Sequence, residues 1–96
     1  MKWPPENLDE LLRKAGEILR AAGARRVYVF GSAASGEMSP HSDVDLAVSG
    51  LPAKIFFATM AQVSDLFGRT IDLVDLDVVS PFTTYLKREG ELRRVA

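Results

Sequence analysis

Arg26-Val27-Tyr28-Val29-Phe30-Gly31-Ser32, followed ten residues later by Asp43-Val44-Asp45-Leu46-Ala47-Val48, is the stretch that decides the fold of this 96-residue chain. Its first half is rich in β-branched and aromatic residues and stops at Gly31-Ser32, which predicts a short strand over 26–30. Its second half alternates, with Val44, Leu46 and Val48 on one face and Asp43 and Asp45 on the other, which predicts a second strand. Between them, residues 33–42 are small and polar and are punctuated by Gly36 and Pro40, so they read as a loop that starts with at most one helical turn.

Working outward, Leu8, Leu11, Leu12, Ala15, Ile18, Leu19 and Ala22 recur at helical spacing and Gly23 closes the segment. Pro4 and Pro5 suit the entrance to that helix, and Trp3 before them is free to cover the core or join an interface. A second helical pattern runs from Pro52 to Phe67 and is closed by Gly68, with Phe56, Phe57 and Phe67 expected in the core. Residues 70–76 read as a third strand, and Pro81 opens a last helix to about Arg88, ahead of Gly90 and a short polar tail. Helices and strands in this order predict an α/β fold: a small mixed β-sheet with helices packed on it. Ninety-six residues without a linker or repeat leave room for one domain, 1–96.

Composition narrows the function classes. Twelve basic and thirteen acidic side chains give a net charge of −1, so a general grip on nucleic-acid backbone is disfavoured. The absence of cysteine rules out disulfides, thiolate zinc sites and a Cys nucleophile. No stretch is apolar enough for a membrane span or a secretory leader, and the expectation is a cytoplasmic protein without membrane contact.

Two features carry chemistry. Gly31-Ser32 directly after a strand lets the backbone turn sharply, and a helical turn beginning there would aim unpaired N–H groups and the Ser32 hydroxyl at an anion. Taken alone, the same dipeptide also serves a plain strand-to-loop turn. Asp43 and Asp45 share one strand face roughly 7 Å apart along the chain. Two carboxylates so placed repel each other and lose hydration, and a hard divalent cation such as Mg²⁺ relieves both penalties. A bare D-x-D pair, taken alone, more often marks solvated acids on an exposed strand edge. Asp72, an acid inside the apolar run Ile71-Asp72-Leu73-Val74, is the third candidate. It is preferred to Asp75, which has the opposite strand parity, and to Asp77, which lies where the strand is ending.

Taken together, Gly31-Ser32, Asp43-Val44-Asp45 and the later Asp72 resemble the signature of the nucleotidyltransferase superfamily that includes DNA polymerase β. The chain is most similar to its minimal nucleotidyltransferase branch, the MntA-like antitoxins of HEPN/MNT pairs, and Ser80-Pro81 to Glu89 is similar to that family's closing helix. The resemblance implies Mg²⁺-dependent transfer of AMP from ATP to a hydroxyl, with a tyrosine of a HEPN-type toxin as the acceptor. Asp43, Asp45 and Asp72 would then be the catalytic and metal-ligating residues for two Mg²⁺ ions, and Gly31 and Ser32 would hold the β and γ phosphates. Larger relatives carry a further domain for the acceptor, so a partner protein is expected to supply it here. One departure stands out: many members carry an Arg after the Gly-Ser pair, where this chain has Ala33-Ala34-Ser35-Gly36. Arg69 or Lys54 could substitute for that cation. Alternatively, a weakened enzyme would neutralise its partner by binding alone.

Overall fold

The computed structural model describes residues 5–96; Trp3 and Pro4 lie outside the described residues. Helix α1 (Leu8–Ala21) leads to strand β1 (Arg26–Phe30), the single turn α2 (Ser32–Ser35) and strand β2 (Val44–Ser49). A 3-10 turn (Ala53–Ile55) opens into α3 (Phe56–Phe67), followed by β3 (Ile71–Asp75), α4 (Pro81–Arg88) and the two-residue strand β4 (Arg93–Arg94). The four strands form one mixed sheet in the order β3-β2-β1-β4. β2 runs antiparallel to β1 and parallel to β3, and the parallel pair is bridged by the α3 crossover such a connection requires.

Strand alternation divides the side chains between two layers. Val27, Val29, Val44, Leu46, Val48 and Ile71 face α1 and α3, where they meet Leu12, Ala15, Leu19, Val63 and Phe67 in the main core. Each such side chain, fully withdrawn from water, contributes about 1.5–3 kcal/mol. The opposite face is covered by α4, with Ala47, Leu76 and Leu86 at its centre and Tyr28, Phe30, Val74 and Leu92 around them. Ser80 caps α4: its hydroxyl accepts the Thr83 N–H at 3.1 Å, while the Thr83 hydroxyl accepts the Ser80 N–H at 3.0 Å. Such a reciprocal cap is worth about 1 kcal/mol.

Several expectations are corrected. Residues 93–96 are not a loose polar tail. Arg93 and Arg94 pair with Val29 and Tyr28, and the Val27 N–H donates to the Ala96 carbonyl at 2.9 Å. The pairing is made by backbone along the free edge of β1, so two exposed arginines gave no alternating pattern to read. Phe57 is 73% exposed rather than in the core, because it points away from the sheet beside the inward-facing Phe56. Pro5 does stand at the entrance to α1, its carbonyl accepting the Leu8 N–H at 3.2 Å. Asp43 lies one residue ahead of β2, not within it.

Candidate active site

The site is built where β1 ends and β2 begins. Antiparallel register sets Phe30 opposite Asp45, and parallel register sets Asp45 opposite Asp72. Gly31, the next residue after Phe30, therefore turns directly over the Asp45 carboxylate. A Cβ on Gly31 would stand 2.6 Å from Asp45 Oδ2. The glycine has φ +69° and ψ −149°, a combination open in practice only to glycine. Two constraints thus demand glycine here, one of conformation and one of space.

The turn after Gly31 is α2. The N–H groups of Ala34 and Ser35 return to the Gly31 carbonyl at 3.1 and 3.2 Å, leaving those of Ser32 and Ala33 without such a partner at the start of the turn. Gly36, left-handed at φ +79°, ends it. The backbone thereby sets donors at one side of a strand end whose other side carries carboxylates.

Asp45 and Asp72 stand side by side on the α4 face of the sheet. The Asp45 carboxyl is pushed up from 3.8 to about 6, first by burial, then by the Asp72 charge and a hydrogen-bonding contact with the Asp72 carboxyl, and last by the charge of Asp43. Asp43 itself is exposed on the loop before β2. Among the described residues, no group of three or more His, Cys, Asp or Glu is arranged to hold a metal ion. The close set is the Asp45–Asp72 pair, with Asp43 felt by it only as a charge.

Two further residues, Arg69 and Phe82, also shape the site. Arg69, considered above as a substitute phosphate ligand, donates through Nη1 to the Ser42 carbonyl at 3.0 Å and the Pro40 carbonyl at 3.4 Å. The register explains why: with Val44 opposite Ile71, the residues two positions upstream, Ser42 and Arg69, also face each other. The arginine braces the loop that presents Asp43. Ser42 closes a turn within that loop, its hydroxyl accepting the Ser39 N–H at 2.8 Å, and His41 is exposed there. Phe82 of α4 meets Phe30 edge to face, with ring centroids 6.3 Å apart, so an aromatic pair flanks the acids. Neither contact has a local signal in the sequence, since both join segments far apart in the chain.

The polymerase beta nucleotidyltransferase family model matches residues 6–92. The chain belongs to that family. Solved nucleotidyltransferase structures have the same fold. A minimal nucleotidyltransferase superimposes with a TM-score of 0.68 at 29% identity, covering 86% of this chain and 92% of its own. A complex of a tri-AMPylated HEPN toxin from Shewanella oneidensis with its MNT antitoxin gives a TM-score of 0.68 at 22% identity, covering 93% and 71%. A toxin–antitoxin crystal structure with AMP-PNP gives 0.68 at 23%, covering 88% and 70%. No curated protein sequence matches the chain significantly.

A nucleotidyltransferase of this fold implies a divalent metal, and the donor set present here is compatible with one. Carboxylate oxygens are the ligands a hard cation selects, and Mg²⁺ is commonly held by only one or two of them. Burial first, and then the charges of Asp72 and Asp43, raise the Asp45 carboxyl, and among the described residues no cation offsets them there, a role a metal ion would fill.

Proposed function

We propose that the chain acts as a single minimal nucleotidyltransferase domain, moving AMP from ATP to a hydroxyl on a partner protein in the cytoplasm. The observation that carries this reading is the Asp45–Asp72 pair in register beneath Gly31. A tyrosine of a HEPN-type toxin is the proposed acceptor, and the likeness to the AMPylated toxin–antitoxin complex supports it.

In this reading Asp45 and Asp72, with Asp43, would hold Mg²⁺, with two ions expected in the full complex. Bound there, the metal would polarise the α-phosphate and steady the leaving pyrophosphate. Gly31, having no side chain, lets the nucleotide's β and γ phosphates approach the backbone, and Ser32 offers its hydroxyl and N–H to them. Asp72, exposed at the outer side of the pair, faces the incoming acceptor and takes its proton at a carboxylate oxygen. The acceptor oxygen bonds to the α-phosphorus as the bond from that phosphorus to the bridging oxygen breaks, and pyrophosphate departs. Near pH 6 part of the Asp45 population carries a proton, with which a bound metal would compete.

One observation favours a second reading. Ser35 stands where many family members carry an arginine, and Arg69 is committed to loop carbonyls. A protein weakened in phosphate binding would neutralise its partner by contact alone. Incubation with ATP labelled at the α-phosphate, Mg²⁺ and a HEPN-type protein encoded beside this chain separates the two. Label on the HEPN protein, lost with a chelator, supports the enzyme. A tight complex without label supports binding alone.

A further inference from the structure

On the α4 face of the sheet, at the end remote from the carboxylates, lies a cavity of about 490 Å³. Its position follows from the register: Arg26 begins β1 opposite Ser49, which ends β2. Ser49 lies four residues beyond Asp45 on the same strand face, about 13 Å away at 3.3 Å per residue. The Ala47–Leu76–Leu86 cluster stands between the two places. The cavity is therefore separate from the proposed transfer site.

Its lining has a definite chemistry. Arg25, Arg26 and Lys87 bring three cations to it, and Asp77 brings one acid. Asp77 is already engaged, because its Oδ2 accepts the Gly50 N–H at 2.7 Å. Among the described residues, none of the three cations makes an ion pair or a side-chain hydrogen bond. Elsewhere on the surface Arg13, Lys14 and Arg93 each sit beside an acid, respectively Glu17, Glu10 and Asp9, while, among the described residues, Lys54 and Arg88 do not; what marks the cavity is that three unpaired cations converge on it. Tyr28, Leu76 and Leu92 give the cavity an apolar wall next to this charge.

We infer that this cavity binds a small phosphorylated molecule, with its phosphate among Arg25, Arg26 and Lys87 and its less polar part against Tyr28 and Leu92. The excess of two positive charges matches a phosphate monoester, which carries about −1.5 to −2 near neutral pH. Guanidinium groups suit the anion because they meet phosphate oxygens two at a time. The volume falls within the range of about 300–1,000 Å³ that small-molecule sites occupy.

The test is a titration of the whole chain with AMP and with inorganic phosphate, in chelator so that no metal loads the carboxylates. It is followed through the backbone amide resonances at constant ionic strength. Saturable shifts at Ser49, Leu76 and Lys87 are expected, with affinity reduced at least tenfold in Arg26→Gln/Lys87→Gln and unchanged in Asp45→Asn. Both substituted side chains are exposed, so the amide spectrum elsewhere should superimpose on the parent's. Equal affinity for the two probes would assign recognition to phosphate alone, while tighter AMP binding would add the apolar wall to the site. The proposal is overturned if neither probe shifts those amides, if shifts are confined to residues 31–35, or if they persist unchanged in the double variant.

Discussion

The Oδ2 of Asp45 lies 2.6 Å from the point that a Cβ on Gly31 would occupy. One glycine thereby fixes the distance between the turn after β1 and the acidic strand end. The contact separates two effects that are usually confounded in a Gly→Ala change. Gly36, also at positive φ, has nothing within 4 Å of its own hypothetical Cβ. Gly36→Ala should therefore lose only backbone strain, about 1 kcal/mol. Gly31→Ala should lose at least about 1 kcal/mol more, which for a chain of this size lowers Tm by roughly a further 4–8 °C. Adding Asp45→Ala to Gly31→Ala should recover part of that loss. Equal melting temperatures for the two single variants would contradict the contact.

The Asp45 carboxyl makes stability depend on pH in an unusual direction. Its folded value of about 6 exceeds the ordinary 3.8, so the folded chain binds this proton more tightly than the unfolded chain does. Its contribution is most favourable below about pH 4 and is lost as pH rises through the window to about 6. Asp45→Asn, which cannot ionise, should gain Tm relative to the parent between pH 4 and pH 7 in metal-free buffer. A difference that stays flat or reverses over that window would show that Asp45 ionises normally.

Arg69 ties the bend leading into β3 to the loop leading into β2 through the Ser42 and Pro40 carbonyls. These bonds are partly solvated, so Arg69→Ala should lower stability by only about 1 kcal/mol. The larger effect should be on transfer, about tenfold in kcat/KM, because Asp43 follows Ser42 directly. Arg69→Lys should recover little of it, since one ammonium does not reach both carbonyls with the same geometry. Unchanged transfer in Arg69→Ala would mean that the loop holds its position without the brace.

How far the sequence disclosed this arrangement depends on the range of the interaction. The strand over 26–30, the helix over 81–88 and the core face of Val44, Leu46 and Val48 were legible because each rests on local pattern or capping. The mixed sheet was legible at the level of class. Residues 93–96 were not, because pairing along the β1 edge is made by backbone groups that every residue carries. Phe30 and Phe82 meet only after four intervening elements have folded, and Arg69 finds Ser42 only through the β2–β3 register. Asp45 and Asp72 could be selected as acids on matching faces, yet their adjacency awaited that same register.

The terminal segment gives a further test away from the site. A Cβ on Gly16 of α1 would lie 3.0 Å from Ala96 Cβ and 3.1 Å from Val95 Cγ1. Gly16→Leu should push residues 95–96 off α1 and loosen the bonds from Val95 and Ala96 to Val27. The expected loss is about 1–3 kcal/mol, with faster amide exchange at Val27 and Val95. Unaltered exchange at those two amides would show that the segment is held elsewhere.

The central claim, that Asp45 and Asp72 form the metal-holding and proton-accepting pair of a nucleotidyltransferase, is tested most directly by single-turnover transfer of α-labelled AMP to a HEPN-type partner. Asp45→Asn and Asp72→Asn should each lower the rate at least about a hundredfold, with the folded state retained by thermal unfolding. Either variant transferring label at the parent's rate, under the same Mg²⁺ and partner concentrations, would contradict it.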